Sequence, residues 1–178
     1  MSLQQVRQLD DAWLGPLVAH MCRNAVESGR DGDPYARPRP LADLPDPLLL
    51  GHEIAKAWQV PVGEPGWERH FGVFVDDALV GHLDLRGGAL ASECHRATLG
   101  IGIERPWRGQ GLGRALCERA IGWARTQGLA WIDLGVFADN PVAEALYRKL
   151  GFVEIGRAVD RFRVDGRSLD DVVMALRL

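Results

Sequence analysis

The chain has 178 residues, 47% of them hydrophobic and 25% charged, with a formal net charge of −3. That length carries one domain with a full core, and the composition excludes a disordered polypeptide. The small negative charge, with no basic stripe, excludes the electrostatic footprint of a nucleic-acid binder. No apolar run is long enough to cross a bilayer, and the first residues, with Arg7, Asp10 and Asp11, lack the continuous apolar core of a signal peptide. Cys22, Cys94 and Cys117 are odd in number and have no metal-ligand spacing. They are expected to be free thiols in a reducing cytoplasm, with no metal bound and no membrane partner.

In chain order, Leu3 to Leu9 reads as a strand, and Asp10 or Asp11 as the cap of a helix reaching about Glu27. Ser28 to Pro47, rich in Gly, Pro and Asp, is a loop. Leu48 to Trp58 is a second helix, and Val60 to Pro65 a connection. Phe71 to Val75 and Leu79 to Leu85 are strands joined by a turn at Asp76-Asp77. A strand from His95 to Ile103 precedes a helix from Gly111 to Gln127, which Gly128 stops. Trp131 to Phe137 is another strand. Phe152 to Val164 and Ser168 to Leu176 flank Asp165-Gly166, a strong hairpin signal. This order predicts a mixed α/β fold: a mostly antiparallel sheet with flanking helices, in one domain spanning 1–178.

Two motifs carry chemistry. Arg108-Gly109-Gln110-Gly111-Leu112-Gly113 joins the strand ending at Ile103 to the next helix. Glycines let backbone N–H groups approach an anion, and a helix N-terminus adds partial positive charge. Arg108 and Arg114 bracket the turn with fixed charge. The spacing departs from the dinucleotide-binding Gly-x-Gly-x-x-Gly, and the Gly-Lys-Ser/Thr ending of an ATP loop is absent. The second motif runs from Asn140 to Phe152. Asn140 is an N-cap, Pro141 suits the first turn, and Gly151 is a stop signal. Val142, Leu146 and Leu150 are expected to form its buried stripe, with Ala143 and Tyr147 on the adjacent face.

Together these motifs resemble those of the GCN5-related N-acetyltransferases. That family's acetyl-CoA loop follows Arg/Gln-x-x-Gly-x-Gly/Ala, matched by Arg108, Gly111 and Gly113. Its later helix carries Asn-x-x-Ala-x-x-x-Tyr before Gly-Phe, matched by Asn140, Ala143, Tyr147, Gly151 and Phe152. The resemblance runs from about Phe71 to Leu178. It implies the acyl-CoA N-acyltransferase fold, with an acetyl-CoA-binding core at 71–178 and a variable, acceptor-side part at 1–70.

The resemblance further implies that Ile101, Gly102 and Ile103 pair with the pantetheine arm along a splayed strand edge. Gly109, Gln110, Gly111, Leu112, Gly113 and Arg114 would surround the pyrophosphate, and Asn140 and Ala143 would lie near pantetheine. Tyr147 would be the general acid for the thiolate. Gly100 and Gly102 suit a distorted strand or a close approach. Where many relatives carry a Glu or His base, this chain has Ala97 and Leu99. Glu104 is then the nearest candidate base, although its place directly before Arg105-Pro106 reads as that of a solvated carboxylate, with His82, Asp84 and His95 behind it.

The acceptor wall is expected between Trp13 and Trp67, with Tyr35, Trp58 and Trp67 lining an apolar pocket and Arg37 or Arg39 meeting a carboxylate. The run from Arg161 to Gly166, with Asp170 or Asp171 and Met174 beyond it, resembles a subgroup acting on free amino acids and small amines. The leading expectation is acetyl transfer from acetyl-CoA to a small primary amine, such as an L-amino acid, by direct attack in a ternary complex. A protein N-terminus or lysine, an antibiotic or polyamine, and a non-catalytic acyl-CoA-binding module are the alternatives. A homodimer is compatible with any of them.

Overall fold

The computed structural model describes residues 4–40 and 42–178. Strand β1 (Gln4–Gln8) leads through a 3-10 turn, capped by the Asp10 carboxylate, into helix α1 (Leu14–Glu27). Leu3, at the start of the expected first strand, lies outside the described residues. Helix α2 (Pro47–Gln59) begins at Asp46, whose carboxylate accepts from the N–H groups of Leu48 and Leu49. Then follow β2 (Glu68–Val75), β3 (Ala78–Gly87), β4 (Arg96–Ile103), α3 (Leu112–Thr126), β5 (Trp131–Phe137), α4 (Pro141–Lys149), β6 (Val153–Val164) and β7 (Arg167–Arg177). The expected elements are present with small shifts at their ends. The largest is in β2, which starts three residues before Phe71 and so brings Glu68, Arg69 and His70 into the sheet.

The seven strands run in the order β1-β2-β3-β4-β5-β7-β6, antiparallel at every contact except β4–β5. Both tight hairpins turn through paired left-handed residues. These are Asp76 (φ 47°) with Asp77 (φ 65°), and Asp165 (φ 48°) with Gly166 (φ 77°). Such turns match the right-handed twist of the strands they join.

The parallel contact is short. Arg96, Ala97 and Thr98 pair with Trp131, Ile132 and Asp133. Beyond them β4 continues against β3 and β5 against β7, so the sheet opens into a V between Leu99–Ile103 and Leu134–Phe137. The closed end is pinned by a two-pronged ion pair from Arg96 to Asp133, at 2.5 and 2.7 Å, with the guanidinium 4.9 Å from the Trp131 ring.

Successive strand residues point to opposite faces, and β2 shows which helices lie where. Phe71 meets Trp123 of α3 with ring centres 5.5 Å apart, whereas His70 meets Trp58 of α2. The α3 face holds the main core, including Trp67, Phe71, Leu83, Leu116, Ile132 and Met174. The α1–α2 face holds a smaller cluster of Leu9, Leu17, Val18, Ile54, Phe74 and Leu79. In α4 the expected stripe is rotated. Val142 is 81% exposed and Leu146 and Leu150 are half-buried, while Tyr147 is the buried residue of that helix. The ring's apolar area, packed edge-on to Phe152, wins the core position over the smaller Val142.

Candidate active site

The glycine loop forms as its sequence demands. A 3-10 turn at Arg105–Trp107 ends β4, and Gly109 (φ 72°) and Gly111 (φ 82°) are left-handed. A Cβ at either would meet nothing within 4 Å, so the hollow in front of the loop is open. Gly111 is the N-cap of α3, and no side chain caps that end. The first-turn N–H groups of Leu112, Gly113 and Arg114 are therefore left for an anion. Gly113 serves packing: its missing Cβ would sit 3.4 Å from Leu146 of α4.

The arginines beside the loop are already engaged. Arg108 donates from Nη2 to Glu27 (2.6 Å), from Nη1 to Asp33 (2.6 Å) and from Nε to the Ile103 carbonyl (2.8 Å). Its charge is met by two carboxylates and does not stand free beside the turn, as the sequence suggests. Arg105 joins the same acidic stretch through Asp31 and Asp33. Arg114 pairs with Glu118 one turn along α3. Gln110 donates to the Pro106 carbonyl and so closes the loop on itself.

Tyr147 is 5% exposed and packs into the main core on the α3 face. Burial above all, with the nearby Cys117 and Asp84, pushes its phenol well above its ordinary range, so it holds its proton at neutral pH. Asn140 caps α4 by accepting from the Ala143 N–H (3.1 Å), which leaves its amide N–H groups for another partner. Cys117 is buried and its thiol is raised to about 12, which makes it inert as a nucleophile. Cys22 and Cys94 are free as well.

On the opposite face of β4 the glycines have a definite cause. A Cβ at Gly100 would lie 2.6 Å from Asp84 Oδ1, and one at Gly102 would lie 2.4 Å from Asn24 Oδ1 and 2.7 Å from His82 Cε1. The β3–β4 ladder is regular among the described residues, so these glycines mark side chains lying across the strand and not the expected distortion. His82, Asp84, Gly100 and Ile101 line one wall of a cavity of about 730 Å3. Its other walls come from α1, the 36–46 loop and α2.

Glu104 stands behind that wall. Its Oε1 accepts from Arg23 Nε (3.0 Å) and Nη2 (2.8 Å) and lies 2.7 Å from His20 Nδ1. It is thus held by α1, where the sequence suggests a solvated carboxylate. His20 Nε2 is in turn 2.9 Å from His82 Nδ1. His20 and Arg23 have no sequence signal of their own, because they reach Glu104 across more than eighty residues. His95 is exposed at the far end of β4, away from the V.

The expected aromatic pocket is not formed. Trp67 is fully buried beneath α3, Trp58 donates its indole N–H to His70, and Tyr35 packs with Phe137, Val164 and Leu169. Each is drawn into a core because no cavity wall offers comparable apolar area. Arg37 does line the cavity. Its Nη groups donate to the carbonyls of Asp43 and Pro40, and its buried Nε has no hydrogen-bond partner among the described residues. Arg39, also on the lining, pairs with Asp43.

Glu68, His70 and Asp84 place potential metal-ligand atoms within 4.8 Å of one another. The Trp58 N–H donating to His70 Nδ1 at 3.0 Å keeps the ring proton on Nε2, which faces Glu68 at 3.6 Å. A protonated nitrogen is no ligand, and Asp84 is committed to Arg86 at 2.8 Å. Burial, with Asp84 nearby, raises Glu68 to about 7.

Comparison with known proteins agrees with this geometry. The acetyltransferase (GNAT) family model matches residues 40–152. The L-amino acid N-acetyltransferase AaaT of Escherichia coli is 27% identical over 132 residues, 72% of this chain and 80% of that protein. A mycothiol acetyltransferase of Nocardiopsis dassonvillei is 44% identical over 52 residues, which span 29% of this chain but 16% of that protein. The structure of yncA from Salmonella typhimurium, described with its cofactor acetyl-CoA, superposes with a TM-score of 0.82 at 19% identity, covering 98% of this chain and 94% of that one. With the family model matched over more than half of its residues, on a sheet that splays after a short parallel contact, this chain belongs to the GNAT acetyltransferase family.

Proposed function

We propose that the protein transfers an acetyl group from acetyl-CoA to the primary amine of a small molecule carrying a carboxylate, an amino acid being the simplest example. The observation that carries this reading is the V between β4 and β5, followed in the chain by an uncapped helix N-terminus and, on α4, a proton-holding tyrosine. Ile101, Gly102 and Ile103 would offer backbone partners to the pantetheine arm. The turn from Arg108 to Arg114 would cradle the pyrophosphate mainly through backbone N–H groups, and Asn140 and Ala143 would flank the arm near Tyr147. When the amine attacks the thioester carbonyl carbon, the C–S bond breaks and the leaving sulfur takes the phenol proton of Tyr147.

Arg37 supports the carboxylate. Its guanidinium lines the cavity, held by two carbonyls and partly desolvated, with Asp43 and Asp165 as the nearby acids. The lining also mixes Arg39 and Arg86 with Asp43, Asp46, Glu53 and Asp84, unlike the uniformly acidic wall a polyamine would select.

Three measurements test the reading. Acetyl-CoA at a hundred times its dissociation constant should stabilise the fold by ~2.7 kcal/mol, raising the melting temperature by roughly 5–10 °C. No shift at millimolar acetyl-CoA would remove the donor site. Free CoA release should then be seen with L-amino acids and not with the matching decarboxylated amines, spermidine or an N-terminal peptide. Arg37→Gln should raise the KM for the amino acid about 10- to 100-fold with kcat nearly unchanged, the loss expected for a charged hydrogen bond. An unchanged KM would detach Arg37 from the acceptor.

A further inference from the structure

An alkyl ammonium must lose a proton before it can attack, and a group with a pKa near ~10.4 is only about one part in a thousand neutral at pH 7. We propose that His82 is the catalytic base of the transfer, and that His20 and Glu104 act behind it as a proton relay. The proposal rests on the acetyl-transfer reading above and supplies the base which that reading leaves unassigned.

The geometry fixes the direction of the relay. Glu104 Oε1 already accepts from Arg23, so the 2.7 Å contact to His20 Nδ1 is an N–H donated to the carboxylate. Burial holds His20 and His82 below their ordinary range, so each carries a single ring proton at pH 7. With its proton on Nδ1, His20 has a lone pair on Nε2, and the 2.9 Å contact must be donated by His82 Nδ1. His82 is left with a lone pair on Nε2. This is the less common tautomer, imposed by its neighbours. The ring lies on the cavity wall with Cε1 over the face of β4 at Gly102, the strand whose other edge lines the V.

A proton leaving the ammonium is taken by His82 Nε2. The Nδ1 proton of His82 passes to His20 Nε2, and the Nδ1 proton of His20 passes to Glu104. The Glu104 carboxylate and the Gly102 carbonyl both favour a proton on His20 in transit, and Arg23 opposes it. The neutral amine then attacks, and CoA leaves as the thiol with the Tyr147 proton. The second nitrogen proton, lost as the adduct collapses, restores the phenol through solvent. The relay then runs back and His82 Nε2 gives the proton to water, which restores both tautomers, so the net products are the amide, CoA thiol and one proton. Glu104 is therefore a positioning and relay residue; His82 is the group that meets substrate.

The test compares an L-amino acid with hydroxylamine, which is already unprotonated at neutral pH, as acceptors of acetyl-CoA. His82→Gln should lower turnover of the amino acid by 10²-fold or more and that of hydroxylamine by less than tenfold. Glu104→Gln should show the same selectivity with a smaller loss, since an amide accepts a hydrogen bond but no proton. Equal losses with both acceptors, or none, would overturn the base assignment while leaving acetyl transfer intact. A wild-type protein that acetylates neither acceptor would instead overturn the acetyl-transfer reading, and the base with it. A second readout needs no turnover. Long-range ¹⁵N–¹H correlation spectra of the five histidines should show His20 and His82 with the proton on Nδ1, the His82 signal being the one absent from His82→Gln. Finding the His82 proton on Nε2 would break the relay at its first step.

Discussion

Replacing Tyr147 by phenylalanine should lower kcat by about 10²- to 10³-fold while acetyl-CoA still raises the melting temperature as in the parent protein. The substitution keeps the ring, and with it the contact to Phe152, whose ring centre lies 5.8 Å away. Only the hydroxyl is lost. Tyr147 is buried and holds its proton well above neutral pH, so the parent site always presents the phenol in its acid form. Removing that donor leaves the thiolate to depart unprotonated into a cleft walled by apolar residues, where an unpaired charge is costly. Release of CoA in a single turnover isolates the step. A fall of less than about fivefold would mean the hydroxyl does not serve the leaving group.

Gly111→Val should abolish the thermal response to acetyl-CoA altogether. Two effects combine. A β-branched residue at φ 82° costs on the order of 1–2 kcal/mol in the folded state, because Cβ crowds its own carbonyl there. Its methyl groups would also project into the open hollow ahead of α3, the space the donor's phosphates would need. Gly111→Ala shares most of the first effect and little of the second. It should lose some stability yet keep part of the ligand response. Calorimetric titration with acetyl-CoA separates the two variants, and full binding by Gly111→Val would mean that the loop is a structural turn.

Much of the fold was readable from the chain because its signals are local. Asp46-Pro47 and Asn140-Pro141 cap helices, Asp165-Gly166 closes a hairpin, and Gly109 and Gly111 supply the left-handed turn before α3. The turn and the α4 cap on which the proposed donor side rests follow from the same kind of signal. What could not be read depends on distance in sequence. Glu104 reads as solvated until α1 folds over it and brings His20 and Arg23 to its carboxylate. Arg108 reads as a phosphate-side cation until the segment containing Asp33 docks on it. Val142 and Tyr147 exchange their expected environments because helical spacing defines a face only to within a fraction of a turn. The aromatics of the acceptor half went to three separate cores, a partition decided by packing area and not by motif.

The strand order has a consequence for how the chain is made. β7 follows β6 in sequence but lies between β5 and β6 in the sheet, so neither has its neighbour until residues 167–177 have left the ribosome. Until then β5 offers an unpaired edge, and the main core lacks Val172, Met174 and Leu176. A nascent chain arrested before Arg167 would therefore carry an exposed apolar face and two open strand edges, the features that recruit chaperones and proteases. Completion of this half of the molecule is a single late event, set by the arrival of one interior strand and dominated by contacts between distant residues.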